Sequence, residues 1–320
     1  MEDSKIVIIA PANSITGGPH LLHQLCWALG KIKKNSAVCY LPFDEVHPTP
    51  EPYKIYNVDI ITAKEIHQRD TIILSEYNTK LIKNFAGNQI YIWWLSVDNF
   101  YRFKTNNFLV NLYKYFFGPF IFREGFKTLR KYHHLAQSHY AISFLNKKRI
   151  NAEYLSDFLS KEHFIQPSSC KKENIVAYNP KKIPKNILDF VKTLKNIQFI
   201  PIENMSSNEV AELLSKAKIY IDFGRNPGKD RIPREAAMAE CVLIVGRRGS
   251  ANFDLDVPIH SMYKLSFNKL FLKQKLSRII NEVINNYSYH NENFHSYRNI
   301  IKKEEEIFLK NVNQIFGNHK

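Results

Sequence analysis

Short runs of apolar residues alternate with stretches of helical spacing along most of the chain, and this alternation constrains the fold more than any other feature of the sequence. Runs that are apolar throughout and rich in Val and Ile are typical of parallel strands covered on both faces. Such runs predict strands at residues 5–10, 37–41, 71–74, 89–95, 174–180, 198–201, 220–223 and 241–245. Helical spacing between them, as at Leu21, Leu25 and Leu29, predicts an α/β protein built from two Rossmann-like, doubly wound parallel sheets.

The length of 320 residues suits two domains. We expect an N-terminal domain over residues 1–168, a second domain over 169–265 and C-terminal helices over 266–320 that pack back toward the first domain. The boundary is predicted near residues 166–172, where Pro167 and a run of serines and lysines interrupt both periodicities.

The charge balance predicts an anionic partner. Lys and Arg number 45 against 30 Asp and Glu, so the net charge is +15. Nucleic acid, membrane headgroups and a phosphorylated substrate are the three classes of partner that this charge allows. Hydrophobic residues make up 44% and charged residues 23%, and these proportions exclude a mostly disordered chain.

The cysteines and the missing hydrophobic segments indicate the cellular setting. Cys26, Cys39, Cys170 and Cys241 form no CxxC pair, so we expect buried thiols rather than a zinc site, and no bound metal. No run approaches the roughly 20 apolar residues of a membrane-spanning helix. These features favour a cytoplasmic protein that is soluble or peripheral on the inner membrane.

Most of the candidate chemistry lies in residues 220–240, where a predicted strand leads through a Gly-containing loop into a helix that starts near Pro233. Four cations crowd that helix start, namely Arg225, Lys229, Arg231 and Arg234. Backbone N–H groups and guanidinium forks at a helix N-terminus suit a diphosphate. Glu235, one turn into the helix, is placed to accept hydrogen bonds from ribose hydroxyls. The alternative is a solvated basic loop in which Glu235 pairs with an arginine.

Two known phosphate motifs are absent. Residues 224–230 are similar to a Walker A loop, but the segment is one residue short and has Asp230 where a Mg²⁺-binding Ser or Thr belongs. The first predicted strand is followed by Gly17 and Gly18 without the GxGxxG spacing, which disfavours a nicotinamide enzyme.

Several segments resemble GT-B-fold glycosyltransferases that build bacterial surface polysaccharides, such as capsule, O-antigen or lipooligosaccharide. The segments are 16–19, 22–25, 93–98, 176–182, 222–224, 234–237, 242–245 and 249–251. The resemblance implies two Rossmann-like domains facing across a cleft, with the acceptor on the first domain and a UDP-, GDP- or CMP-sugar on the second. It implies a glycan or lipid-linked acceptor, no cofactor and no metal, because the basic loop would neutralise the departing diphosphate.

The resemblance also implies further donor-binding positions. Asn179 and Lys182 directly follow a predicted strand, and Lys182 would reach a phosphate unless it is a surface lysine. Gly17, Gly18 and Gly224 would let backbone approach the donor, and Ser250 would touch its phosphate. Many retaining members carry two Glu separated by seven residues. Here the second aligns with Glu235 and the first position is Pro227, so inversion or retention of configuration stays open.

An inverting reaction needs a general base from the first domain. Asp98 is the first choice because it follows a predicted strand, where α/β ligands bind, although it would equally cap the next segment. Glu76 is placed in the same way after an earlier strand, and His20 adjoins the Gly-Gly turn. Asp44 and Glu45 are weaker candidates.

The segment 99–134 interleaves aromatic and basic side chains. This pattern suits an anionic membrane surface that holds a lipid-linked acceptor, and equally an aromatic core under an inserted helical pair. Single-stranded nucleic acid fits the pattern less well, since no RNA-binding motif accompanies it, and we expect no nucleic-acid partner.

Two other classes of function remain open for the whole chain. One is a non-catalytic nucleic-acid- or membrane-binding protein, which steep salt dependence would reveal. The other is a sugar-nucleotide epimerase or hydrolase, which would turn over a donor without an acceptor.

Overall fold

A computed structural model describes residues 4–43, 45–101, 122–164, 171–267 and 271–317 of the chain. The chain divides into two compact units, the first made of Met1–Asp157 with Glu306–Lys320 and the second of Phe158–Glu305. Asp44, Cys170, most of the aromatic and basic segment and most of the predicted domain boundary lie outside the described residues.

The first unit contains a seven-stranded parallel sheet. Its strands are β1 Ile6–Pro11, β2 Ser36–Leu41, β3 Asp59–Ile61, β4 Thr71–Ser75, β5 Gln89–Trp94, β6 His133–Ala136 and β7 Glu153–Tyr154. Their order across the sheet is β3-β2-β1-β4-β5-β6-β7. The central strands are apolar throughout because helices and turns cover both faces, and Val7, Ile8 and Ile9 are fully buried.

Helices cover this sheet and hold its strand ends in place. They are α1 Gly17–Lys31, α2 Val97–Tyr101, α3 Phe126–Leu129 and α4 His139–Lys147, with 3₁₀ segments at Glu51–Tyr56, Ala63–Glu65 and Glu76–Phe85. The two buried indoles of β5 have hydrogen-bond acceptors on neighbouring parts of the unit. The indole of Trp93 donates to the Leu155 carbonyl over 2.9 Å, and the indole of Trp94 donates to Nδ1 of His134 over 2.9 Å.

The second unit contains a five-stranded parallel sheet with the order β12-β11-β10-β8-β9. Its strands are β8 Glu173–Tyr178, β9 Gln198–Pro201, β10 Ala217–Asp222, β11 Val242–Gly246 and β12 Lys264–Leu265. The helices between and after these strands are α5 Lys185–Val191, α6 Ser207–Lys216, α7 Arg231–Met238, α8 Leu272–Asn285, α9 Tyr287–Glu292, α10 His295–Lys302 and α11 Glu304–Phe316. Short 3₁₀ segments lie at Lys161–Phe164, Gly249–Asn252 and Ser261–Tyr263.

The fold class predicted from the sequence is confirmed, since both sheets are parallel and wound in both directions from an inner strand. A capping box begins α6. Ser206 accepts a hydrogen bond from the backbone of Glu209 over 3.3 Å, and Glu209 accepts one from the backbone of Ser206 over 2.7 Å. The three described cysteines, Cys26, Cys39 and Cys241, are buried free thiols, as expected.

Candidate functional site

Each sheet has one place where neighbouring strands are followed by connections that leave in opposite directions, and loops at such a place leave a crevice at the carboxyl ends of the strands. In the first sheet this switch point lies between β1 and β4, and in the second sheet it lies between β8 and β10. The loops after these four strands carry most of the candidate residues. Gly17, Gly18 and His20 follow β1 and Glu76 follows β4, while Asn179 and Lys182 follow β8 and residues 223–230 follow β10.

At the switch point of the second sheet, Lys182 is held between two carboxylates. Its Nζ lies 2.8 Å from Oδ2 of Asp222, and it also contacts Oδ2 of Asp230. Asp222 ends β10 and is fully buried, whereas the side chain of Lys182 is 25% exposed. Lys182 is therefore neither a solvated surface lysine nor an unpaired phosphate-binding cation in this structure.

Burial and charge act against each other in this cluster. Burial raises the pKa of Asp222, while the ammonium of Lys182 lowers it. Burial lowers the pKa of Lys182, but the two carboxylates outweigh that effect and raise it. Asp222 also accepts the Gly224 amide through Oδ1 over 2.8 Å, which fixes the first turn of the loop. A Cβ on Gly224 would lie 2.9 Å from Asp222 and from Lys182, so this close approach requires glycine.

Two of the four cations predicted for a diphosphate instead bind a buried acid from the C-terminal part of the chain. Lys229 lies 2.7 Å from Oε1 of Glu304, and Arg234 lies 2.7 Å from Oε2 of the same residue. Glu304 also accepts the Leu159 amide over 3.3 Å. The side chains of Lys229 and Arg234 are 9% and 2% exposed. These buried ion pairs stabilise the loop on its protein-facing side. The sequence near the loop gives no signal for a partner 70 residues away.

The other two predicted cations, Arg225 and Arg231, are exposed. Nε of Arg231 lies 2.9 Å from Oε1 of Glu235, one turn along α7, and the Arg231 side chain remains 49% exposed. Glu235 therefore pairs with an arginine, as one of the two interpretations of the sequence predicted. The helix begins at Arg231 rather than at the expected Pro233, since Asp230 occupies the cap position and a proline in the first turn needs no N–H partner.

A second loop, after β11, holds the β10 loop in position. Ser250 is buried, its hydroxyl donates to the Gly228 carbonyl over 2.7 Å, and its amide donates to the Asn226 carbonyl over 2.8 Å. Gly249 has φ +53°, and a Cβ there would lie 2.0 Å from the Asn226 carbonyl oxygen. Ser250 thus binds the loop itself. The exposed Arg248, whose guanidinium lies 4.5 Å from the ring centre of Phe267, is a cation of this edge that the sequence prediction omitted.

At the switch point of the first sheet, the loops after β1, β4 and β5 come together. Oε2 of Glu76 accepts the Leu95 amide over 2.9 Å, and a Cβ on Gly18 would lie 3.8 Å from the Leu95 side chain. A Cβ on Gly17 would meet nothing within 4 Å. The structure therefore places both Gly18 and Glu76 next to Leu95.

Glu76 is the most strongly perturbed carboxyl group of this edge. It is 2% exposed, and burial raises its pKa to about 7, against smaller opposing effects of backbone N–H groups and of Arg123. The guanidinium of Arg123 lies 3.9 Å from the ring centre of Tyr77, the residue after Glu76. A carboxyl group with a pKa near neutrality is suited to proton transfer.

The remaining base candidates have different surroundings. His20 is half-buried, and its Nε2 lies 2.5 Å from the hydroxyl of Tyr56. Asp98 lies in the first turn of the five-residue helix α2, after β5, and is half-buried. Glu45 follows β2 and is exposed. His20, Glu76 and Asp98 each lie near the start of the helical segment that follows a strand of the first sheet, after β1, β4 and β5 in turn.

No group of three or more His, Cys, Asp or Glu side chains in the described part of the chain is arranged to hold a metal ion. Among the same residues, no helix is both long enough and apolar enough to cross a bilayer.

Comparisons with known proteins place the fold. No protein-family model and no curated protein matches the chain. Among solved structures, a sucrose-phosphate synthase from Thermosynechococcus elongatus superposes with a TM-score of 0.63 at 11% identity and covers 98% of both chains. WaaG, a glycosyltransferase involved in lipopolysaccharide biosynthesis, superposes with a TM-score of 0.61 at 11% identity, over 98% of this chain and 100% of its own.

A third solved structure contains a nucleotide. A variant of TarM from S. aureus, in complex with fondaparinux, alpha-GlcNAc-glycerol and UDP, superposes with a TM-score of 0.56 at 13% identity. The superposition covers 80% of this chain and 57% of that one. Together with the two parallel sheets, these neighbours show that the chain has the GT-B fold.

Proposed function

We propose that the chain is a glycosyltransferase that moves a sugar from a nucleotide-sugar donor to a glycan or lipid-linked acceptor. The observation that carries the proposal is the loop after β10. Buried ion pairs hold this loop on its protein-facing side. The loop and the first residue of α7 carry the exposed Arg225 and Arg231 beside the switch point of the second sheet. An anion-binding edge that is already ordered before the ligand arrives is what a diphosphate needs.

In this proposal the basic residues near the carboxyl edge of the second sheet have two different roles. Arg225 and Arg231 contact the donor diphosphate and neutralise it as it leaves with the nucleotide, without a metal. Lys182, Lys229 and Arg234 fix the loop through their carboxylate partners. Glu235 accepts ribose hydroxyls while it orients Arg231, since a carboxylate has more acceptor sites than the Arg231 contact uses.

The acceptor is assigned to the first sheet. Glu76 is the general base of choice over Asp98, because its buried carboxyl group titrates near neutrality and lies beside the glycine turn. It would take the proton of the acceptor hydroxyl as that oxygen attacks the donor sugar. Pro227 in place of the first glutamate of the retaining pattern favours this inverting scheme.

The donor class and the biological setting are proposed from the solved structures that superpose on the chain. UDP is the first donor nucleotide to test, because it is bound in the TarM complex, ahead of GDP and CMP. WaaG acts in lipopolysaccharide biosynthesis, and we place this chain in the same broad setting, assembly of bacterial surface polysaccharide. The net charge of +15 fits work at the anionic inner face of the membrane.

The experiment that tests the proposal is a nucleotide-release assay with UDP-, GDP- and CMP-sugars, with and without a mixture of glycan and lipid-linked acceptors. We expect release that depends on an acceptor. Arg231→Gln should lose most of this activity, while Arg278→Gln, an exposed arginine on α8, should keep it. Release at the same rate without acceptor would instead identify a hydrolase or epimerase, and no release with any donor would refute the proposal.

A further inference from the structure

A basic groove lies away from both switch points, at the beginnings of strands β6 and β7. It has a volume of about 400 Å³ and is lined by residues that precede β6 or lead into β7, among them Arg130, His133, Arg149 and Asn151. Loops at the carboxyl edge of a parallel sheet build its main ligand crevice. This groove is at the amino edge, so the proposed transfer reaction does not account for it.

The chain segment that contributes most of the groove is strongly basic in sequence. Between residues 125 and 152 the sequence contains six cations, Lys127, Arg130, Lys131, Lys147, Lys148 and Arg149, and no Asp or Glu. None of the six forms an ion pair with a carboxylate of the described residues. Glu153, which is exposed, is the acid among the residues lining the groove. The basic loop after β10 is different, because buried carboxylates there bind most of the cations.

The charged ends of both arginines are exposed at the groove. Nε of Arg130 donates to the Lys148 carbonyl over 3.0 Å, and within the described residues its two terminal nitrogens make no further bond. That bond holds the Arg130 side chain against the backbone of Lys148, the residue before Arg149, and both arginines line the groove. The guanidinium of Arg149 is exposed and has no hydrogen-bond partner among the described residues.

Arg149 stands where a helix end normally has glycine. Helix α4 closes with the Ile150 amide donating to the Leu145 carbonyl over 3.1 Å and the Arg149 amide donating to the Asn146 carbonyl over 2.9 Å. This closure places Arg149 in the left-handed region, at φ +57°. Glycine and asparagine suit that position best, and arginine is accommodated there against the backbone preference.

We propose that this groove is a second anion site, which binds a phosphate-bearing ligand between the guanidinium groups of Arg130 and Arg149. Arginine forks match phosphate oxygens in pairs, the Asn151 amide supplies a further donor, and the imidazole of His133 forms one wall, stacked on Tyr91 at 4.7 Å between ring centres. The volume suits a phosphate or diphosphate group with a small attached portion, either from a soluble metabolite or from a lipid headgroup.

The test is calorimetric titration of the full chain with inorganic pyrophosphate. Because pyrophosphate would also occupy the proposed donor site, the titration uses the Arg225→Gln/Arg231→Gln background. We expect the background variant to bind pyrophosphate at one site. Adding Arg130→Gln/Arg149→Gln should lower the affinity of that site by roughly tenfold or more. The matched control replaces with Gln the exposed Lys302, which ends α10, and the exposed Lys303, which follows it, and should leave binding unchanged.

Two further measurements separate the possible outcomes. Arg130→Gln/Arg149→Gln alone should keep the wild-type melting temperature and nucleotide affinity, which shows that the chain is folded and that the proposed function stands independently. Flotation with phosphatidylcholine vesicles that contain phosphatidylglycerol distinguishes a lipid headgroup from a soluble phosphate. If the ligand is a lipid, the wild type binds these vesicles and Arg130→Gln/Arg149→Gln does not. The proposal is overturned if the double variant binds pyrophosphate and these vesicles as the wild type does, or if polynucleotide is the anion that these arginines bind.

Discussion

The ammonium of Lys182 lies 2.8 Å from the carboxylate of Asp222, which ends strand β10 and has no exposed surface. A buried charge is tolerated only when it is paired and hydrogen-bonded, and Asp222 has both the Lys182 contact and the Gly224 amide. Lys182 therefore acts first as the counter-ion that allows Asp222 to hold the turn of the β10 loop.

Removing this counter-ion should destabilise the protein strongly. Lys182→Ala leaves Asp222 buried and uncompensated, and we expect a loss of about 3–5 kcal/mol in the free energy of unfolding at pH 7. The loss should shrink toward pH 4, because Asp222 can then be protonated. Urea unfolding at the two pH values measures the effect, with the exposed Lys181→Ala as the control. Equal stability of the two variants would contradict the assignment.

Glu304 should matter for the same physical reason. Glu304→Ala leaves Lys229 and Arg234 without their buried acceptor, and we expect a loss of about 3–5 kcal/mol in unfolding free energy. The neighbouring Glu305 faces Lys161 over 3.5 Å, and their side chains are 28% and 78% exposed, so Glu305→Ala should cost less than about 1 kcal/mol. Chemical denaturation compares the two, and a small effect for Glu304→Ala would show that the cluster does not hold the loop.

The two glycine positions at the candidate sites should respond differently to alanine. Gly249→Ala adds a Cβ that would lie 2.0 Å from the Asn226 carbonyl at φ +53°, so the variant should melt at a clearly lower temperature. Gly17→Ala adds a Cβ into open space and should leave the melting temperature unchanged. If Gly17→Ala nevertheless loses transfer activity, the substrate approaches the backbone there. Full stability of Gly249→Ala would contradict the described turn.

The buried carboxyl group of Glu76 predicts a specific pH dependence of stability. Its folded-state pKa of about 7 lies above the ordinary value of 4.5, so the unfolded chain loses this proton first. Stability contributed by the protonated group is therefore present below pH 4.5 and lost as the pH rises through 7, by about 3 kcal/mol in total.

Comparison of Glu76→Gln with the wild type tests this dependence. Gln can still accept the Leu95 amide but does not ionise, so the variant should gain melting temperature relative to the wild type at pH 8 and differ little at pH 4.5. The exposed Glu51→Gln serves as the control. A difference between Glu76→Gln and the wild type that is the same at both pH values would show that Glu76 does not titrate near neutrality.

Much of the fold was predictable because runs of apolar residues in the sequence mark strands that are buried in the structure. All eight predicted strands exist, whereas β3, β6, β7 and β12 were missed. Those four have two to four residues each and contain polar side chains such as His133 and Lys264, so no apolar run marks them. The C-terminal part was predicted to be helical over 266–320, and its described residues form four helices, the first of which begins at Leu272.

The candidate site was predictable in position but not in detail. Positions after strands indicated the switch points, because strand ends are local features of the sequence. The partners of the cations were not predictable, since Asp222 lies 40 residues from Lys182 and Glu304 lies 70 residues from Arg234. A count of cations near a helix start cannot separate those that bind a ligand from those that bind a distant buried acid.

The most direct test of the account is calorimetric titration of the wild-type chain with UDP, GDP and CMP at low ionic strength. We predict saturable binding of at least one nucleotide. Its affinity should fall roughly tenfold in Arg225→Gln and again in Arg231→Gln, because each removes a charge-assisted contact to phosphate, and should be unchanged in Arg278→Gln. Binding of no nucleotide, or equal affinity in the wild type and in Arg225→Gln/Arg231→Gln, would contradict the proposed donor site.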